Sequence, residues 1–246
     1  MEYWPYVIAA LGIAAGGFLK GATGVGAPVV GVPILAMVFD LPKAVAIFSV
    51  INLISNVWQG WAYRKDATDT RFVWWFAAAG GAGAMVGSVM LALLPTELLM
   101  VTLAGVVAAY IVLRLARPHW QLARDTARRI GPTVGFVGGM MQGAGGISAP
   151  VSVTFLNAMR LGRAEFIGTI SVFFLGMSTF QIPVLIGFGI LTWERGALAI
   201  LALAPMFAGV WLGTWAARHW SKEAFDRAIL ILLAVIAVKL VWDVVV

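Results

Sequence analysis

One stretch of this chain is written twice. From Gly16 it reads GGFLKGATGVGAPV and from Gly138 it reads GGMMQGAGGISAPV, identical at eight of fourteen positions. The matches are Gly16/Gly138, Gly17/Gly139, Gly21/Gly143, Ala22/Ala144, Gly24/Gly146, Ala27/Ala149, Pro28/Pro150 and Val29/Val151, all at one offset of 122 residues. A duplication explains that better than a general excess of small residues. Each copy breaks an apolar run with glycine. Broken segments at corresponding positions of two halves are the best sequence-level pointer to a binding site in a membrane carrier.

The apolar runs define the solvent. Of 246 residues 61% are hydrophobic and 11% charged, with a mean hydropathy of +0.94, against roughly 25% charge in a soluble domain. The chain reads as an all-α integral membrane protein whose main surroundings are the lipid bilayer. There is no cysteine, which excludes disulfides and thiolate metal sites. The net charge of +6 needs no nucleic-acid partner, because arginines crowded into one set of loops account for it. Trp4 to Leu19 is apolar, but Glu2 stands where a cleaved signal would be basic, so this segment is read as retained.

After the first glycine-rich stretch, apolar spans run over 43–63, 71–94 and 97–116. A basic loop at 117–130 divides the chain, and the second half repeats the order, with a glycine-rich segment at 131–160 and spans over 164–191, 195–217 and 223–245. The later parts also match, now at an offset of 126, through Gly83/Gly209, Gly87/Gly213 and Glu97/Glu223. The expectation is a single transmembrane domain, 1–246, made of repeats 4–116 and 131–245.

Residues 4–39 are too many for one helix across a ~30 Å core and few for two full spans. Two short helices meeting at the glycines solve this, either as a returning hairpin or as one kinked span. Positive charge separates the two readings. A hairpin gathers Arg64, Lys65, Arg71, Arg114, Arg117, Arg124, Arg128, Arg129, Arg160, Arg163, Arg218, Lys222 and Arg227 on one face and leaves Lys43, Arg195 and Lys239 on the other. The kinked span scatters them. The positive-inside rule therefore selects the hairpin, with both termini outside and the 117–130 loop in the cytoplasm. Each half is then a glycine-broken hairpin followed by three transmembrane helices, and the two repeats have inverted topology. Trp61, Tyr63, Trp74, Trp75 and Trp220 fall near the inner boundary, and Tyr3, Trp4, Trp193 and Trp242 near the outer.

Several residues are candidates for a substrate site. In Gly21, Thr23, Gly24, Val25 and Gly26 a second short helix is about to begin, with Pro28 in its first turn. Gly143, Gly145, Gly146 and Ser148 repeat this before Pro150. Free amides at two converging helix N-termini favour an anion, although small residues also serve simply to let membrane helices approach. Lys20 is the one charged side chain placed deep in the membrane, where ionisable groups are costly and usually functional. Its counterpart is Gln142, so the paired site carries a single cation. On the next span Ser49, Asn52, Asn56 and Gln59 recur at helical spacing. Ser171, Ser178 and Gln181 repeat that stripe in the second half, which suggests a polar pathway or, alternatively, interhelical hydrogen bonds.

Asp40, Glu97, Glu165, Glu194, Glu223 and Asp243 all fall near span ends, and His119 and His219 near one surface without metal-ligand spacing. Hydrolase triads and phosphate-binding loops are missing. No cofactor is expected, and an enzyme is disfavoured.

The duplicated glycine loops with their trailing Ala-Pro, in two four-segment halves, resemble the TauE/SafE sulfite exporter family over essentially the whole chain. The resemblance implies an inner-membrane carrier of the bacterial plasma membrane for sulfite, organosulfonates or related small organic acids. Its implied site is Gly21 to Pro28 and Gly143 to Pro150. An anion channel is the alternative, and an intramembrane lipid-phosphate phosphatase a more distant one. Oligomeric state stays open, a homodimer included.

Overall fold

A computed structural model describes residues 3–65, 69–99 and 121–217, with positions 101, 102, 105, 108 and 112. Every regular element among them is a helix. In chain order those with both ends described are α1 (Trp4–Thr23), α2 (Ala27–Val38), α3 (Leu41–Ala62), α4 (Thr70–Leu93), α5 (Arg124–Gly145), α6 (Ala149–Ala158), α7 (Arg163–Gly187), α8 (Trp193–Leu201) and α9 (Leu203–Ala216); the described residues between 96 and 112 are helical too. Among the described residues five stretches are long and apolar enough to cross a membrane: α1, α3, α4, α7 and the α8–α9 pair. The expected spans at 97–116 and 223–245 lie largely or wholly outside the described residues.

Both glycine-broken segments turn back on themselves. Tyr6 and Phe39 meet with tilted rings, their centroids 5.7 Å apart, Gly12 lies against Ile34, and Gly16 against Ala27. Partners thus descend along α2 as they ascend along α1, which is an antiparallel hairpin. In the second segment the Leu122 amide donates to Ala158 O at 2.8 Å, and Gly138 faces Val151 and Ser152. Three glycines make the bends possible: Gly24 (φ 87°), Gly26 (φ 94°) and Gly146 (φ 73°) sit in the left-handed region, which L side chains avoid. Pro28 and Pro150 then occupy the first turns of α2 and α6, where a missing donor costs nothing.

Two expectations need correcting. The limbs are unequal: α1 has 20 residues and α2 only 12, so at 1.5 Å per residue the first spans a bilayer core and the second reaches about halfway. The same holds for α5 and α6, with 22 and 10 residues. The break is set by where left-handed backbone is allowed, and that point lies late in each segment. The second correction is that residues 124–130, read as part of the basic loop, are helix. Arginine and alanine are good helix formers, and Asp125 lies in the first turn of α5, where a negative charge suits the helix dipole. Further on, Pro205 removes an amide, which accounts for the interruption between α8 and α9 at Ala202.

Lipid gives apolar helices no reason to leave it for one another, so close backbone packing has to hold them together. Two seams do this. Gly17 and Gly21 on α1 lie against the backbone of Met206 and Val210, while Gly209 and Gly213 on α9 lie against Ala14 and Phe18. In the other seam Gly139 and Gly143 on α5 meet Gly80 and Ala84, and Gly83 and Gly87 on α4 meet Phe136 and Met140. In each case an added methyl would strike a carbonyl oxygen of the facing helix. Between the seams α3 and α7 pack against each other, α7 also against α4 and α3 also against α8. Phe72, Phe76, Phe155 and Phe173 form a ring cluster there, with Phe76 and Phe173 stacked at 4.1 Å. Trp4, Trp74, Trp193 and Trp211 point outward, as aromatic residues facing lipid and its interfaces do.

Gly17→Ala and Gly139→Ala should each destabilise the detergent-purified protein by roughly 1–3 kcal/mol, the range for overpacking. Gly196→Ala on α8, where a methyl meets open space, should leave Tm unchanged or slightly raised. Equal Tm values for all three would refute the seams.

Candidate functional site

Lys20 lies in the last turn of α1, four residues before the break, and is only 6% exposed. Its Nζ donates to Ser55 Oγ and to Asn56 Oδ1, both at 2.9 Å. Both partners are neutral. They bring the cation from α1 onto the polar face of α3, where Asn56 Nδ2 in turn donates to Asn52 O at 2.8 Å and to Asn52 Oδ1 at 3.1 Å. One turn beyond Asn56, Gln59 Nε2 donates to the Gly24 carbonyl at 3.1 Å. The stripe on α3 is thus one hydrogen-bonded row holding both the cation and the first break.

The break itself is closed by its own residues. The Gly24 amide donates to Lys20 O at 2.7 Å. Thr23 Oγ1 donates toward Leu19 O and Val25 O, at 2.9 and 2.8 Å, and accepts from the Val25 amide at 3.3 Å. Gly26 caps α2, and its carbonyl accepts from the Val29 amide at 3.0 Å. At the second break the Gly146 amide donates to Gln142 O at 2.8 Å, and Ser148 Oγ and Ser152 Oγ lie 3.1 Å apart. Gly145 is the last residue of α5. Each tip also meets the opposite half: Gly24 packs on Ile167 of α7, and Gly146 on Val45 of α3 and Val32 of α2.

Not every expected residue joins this group. Gly21 and Gly143 are part of the two seams. Ser49 and Ser171 are buried but donate to carbonyls of their own helices, Ala46 and Ile167. Ser178 is buried on α7. Asn52, Gln59, Gln142 and Gln181 form the most informative set. Among the described residues, the buried side-chain polar atoms without a partner are Asn52 Nδ2, Gln59 Oε1, Gln142 Oε1 and both amide atoms of Gln181. A buried unpaired polar group costs about 1–3 kcal/mol, and at these atoms the protein's own side chains and backbone leave that cost standing.

Sequence reasoning missed Ser55, Ser152 and Thr214. Ser55 is three residues after Asn52 and so was available from the same spacing that gave the stripe. Thr214 donates to Gly21 O at 3.2 Å and to Val210 O at 2.8 Å across the α1–α9 seam, and no pattern in the sequence announces it.

Among the described residues, carboxylates lie at helix ends. Asp40 caps α3 through the Lys43 amide at 2.6 Å, Glu165 lies 3.7 Å from Arg124, and Glu194 is in the first turn of α8. Asp69, absent from the expected set, caps α4 through the Phe72 amide and accepts from Arg128 Nε at 2.7 Å. His119, His219, Glu223 and Asp243 lie outside the described residues. Burial pushes the Asp69 carboxyl up, but the bonds from Arg128 and the Phe72 amide, with the charges of Arg128 and Arg124, outweigh it and hold the carboxyl below its usual range.

The apolar spans among the described residues define a multi-pass membrane protein. The sequence profile of the sulfite exporter TauE/SafE family matches residues 8–240, and the chain belongs to this family. Among curated proteins and solved structures nothing matches it. Its family membership makes it a membrane transporter, of a family whose name gives sulfite export.

Asp69→Asn retains a capping side chain but removes the charge paired with Arg128. Because the folded carboxyl is more acidic than the unfolded one, its contribution is fully present above the unfolded value and is lost as pH falls through the folded one. The variant should be less stable by up to about 1 kcal/mol at neutral pH, and the gap should close in acid. A Tm difference that stays constant from neutral to acid would contradict the pairing.

Proposed function

We propose that this chain is a secondary transporter of a small anion, sulfite, an organosulfonate or a related organic acid, bound at mid-membrane between the two hairpin tips. Lys20 is the observation that carries the reading. It is a buried cation at a helix break, and its hydrogen-bond partners Ser55 and Asn56 are neutral, so its charge is left for an anion to balance. An ammonium has three donors, and two are engaged by the protein. The remaining charge is costly in lipid unless a counter-charge arrives.

An inverted two-fold arrangement of the halves is supported by the reciprocity of the seams. Gly17 and Gly21 correspond to Gly139 and Gly143, and Gly83 and Gly87 to Gly209 and Gly213, and each seam pairs glycines of one half with glycines of the other. Such repeats place a substrate where discontinuous helices meet. Family membership supports placement in the bacterial inner membrane, and the charge distribution supports both termini outside with the basic connection in the cytoplasm.

Anion flux into proteoliposomes tests the reading. Lys20→Met should abolish sulfite and sulfonate flux. Asn56→Asp should lower flux tenfold or more, by placing a carboxylate against Lys20 that competes with the substrate for its charge. Unchanged flux in both variants would sink the assignment. Flux that saturates with substrate marks a carrier, and flux that rises linearly marks a channel.

A further inference from the structure

The amides around Lys20 have a fixed polarity, and that polarity selects a kind of ligand. Asn56 Oδ1 accepts from Lys20, so the other end of the same amide must be its donor, and it donates to Asn52 O and Asn52 Oδ1. Asn52 has therefore committed its oxygen, and its Nδ2, a donor, is the end left buried and unpartnered. At Gln59 the logic runs the other way. Its Nε2 is committed to the Gly24 carbonyl, so Oε1, an acceptor, is the buried end without a partner. Turning either amide over would set N–H against N–H at Asn56, or oxygen against oxygen at Gly24.

Asn52 and Gln59 are seven residues apart, two turns on one face of α3, about 10 Å along the axis. Asn52 lies toward one end of this row with a free donor, Lys20 sits between at Ser55 and Asn56, and Gln59 lies toward the break with a free acceptor. A bare oxyanion offers acceptors only. It can satisfy Lys20 and Asn52, but it leaves Gln59 Oε1, about 10 Å along the helix from Asn52, without a donor.

Resting on the reading of Lys20 as the substrate's counter-charge, we infer that the ligand is bipolar: an oxyanion whose far end carries a hydroxyl or ammonium group that donates to Gln59 Oε1. The second half accommodates this without dictating it. Gln181, at the position corresponding to Gln59, leaves both amide atoms unpartnered, so it can present either end. Gln142, in the place of Lys20, adds a second free acceptor and no charge.

Three sulfonates of nearly equal size separate the outcomes: ethanesulfonate, 2-hydroxyethanesulfonate and 2-aminoethanesulfonate. Affinities are measured by thermal shift on the purified full-length protein. The hydroxy and amino compounds should bind about tenfold more tightly than ethanesulfonate, the order of one hydrogen bond to a buried group. Gln59→Met should bring all three to the ethanesulfonate level, and Asn52→Leu should weaken all three by a similar factor. Equal affinities in the native protein, no binding of either donor-bearing sulfonate, or a preference that survives Gln59→Met would overturn the inference. The comparison on the native protein decides even if a variant fails to fold. Lys20→Met separates the two levels: ethanesulfonate binding that survives it refutes the cation's role, whereas loss of binding together with equal native affinities refutes only the bipolar ligand.

Discussion

A helix interrupted inside a bilayer exposes amides and carbonyls that no water reaches, and the interior of this protein is organised by how those groups are satisfied. At the first break the hairpin's own residues satisfy part of the backbone and the neighbouring helix supplies the rest. Gln59 of α3 donates to the Gly24 carbonyl, and Thr23 bonds the Leu19 carbonyl of α1 and the Val25 carbonyl of the loop. At the second break the hydroxyls of Ser148 and Ser152 bond each other, and Ser152 also donates to the Ser148 carbonyl at 3.0 Å. Two similar backbones therefore carry different chemistry. One has a lysine and a clamp from the neighbouring helix; the other has two bonded serines and, at Gln142, a buried amide oxygen without a partner.

The seams and the polar row make complementary demands. Along α1–α9 and α4–α5 the backbones touch through glycine, which fixes those helices against one another with no side chain to spare. Along α3 and α7 the contact is different, since Gly60 faces Ser171 at an ordinary 3.7 Å and polar side chains line both helices. Tight seams to either side can hold each hairpin as part of a rigid body. The hydrogen-bonded row on α3 then presents its free groups to the inside of the bundle.

Much of this could be read from residue types at fixed spacing. The duplicated glycines located both breaks, and Lys20 stood out because a charge in an apolar run has few reasons to be there. The three- and four-residue spacing of Asn52, Asn56 and Gln59 put them on one face, where the structure joins them to Lys20 and Gly24. What could not be read was which glycines bend and which pack. Gly21 and Gly24 are three residues apart in one motif, yet one lies against α9 and the other turns the chain at φ 87°. That difference depends on a helix more than 180 residues away in sequence. Asymmetry of the hairpin limbs escaped for a related reason, because apolar content shows that a segment belongs in lipid and not how far it reaches.

The burial of Lys20 among neutral groups has a thermodynamic consequence of its own. Ser55 and Asn56 supply dipoles and no charge, so part of the electrostatic cost of a cation in a low-dielectric interior remains uncompensated. On the proposed reading that residue of cost is what an anion relieves, and affinity arises because the free protein is destabilised at this point. The same argument limits how tightly the cation itself can be held. A carboxylate partner would stabilise the fold and leave nothing for substrate, whereas two hydrogen bonds at 2.9 Å orient the ammonium while leaving its charge available. On the same reading, neutral partners are what separates Lys20 from the Arg128 guanidinium at the end of the bundle, which is paired with the Asp69 carboxylate.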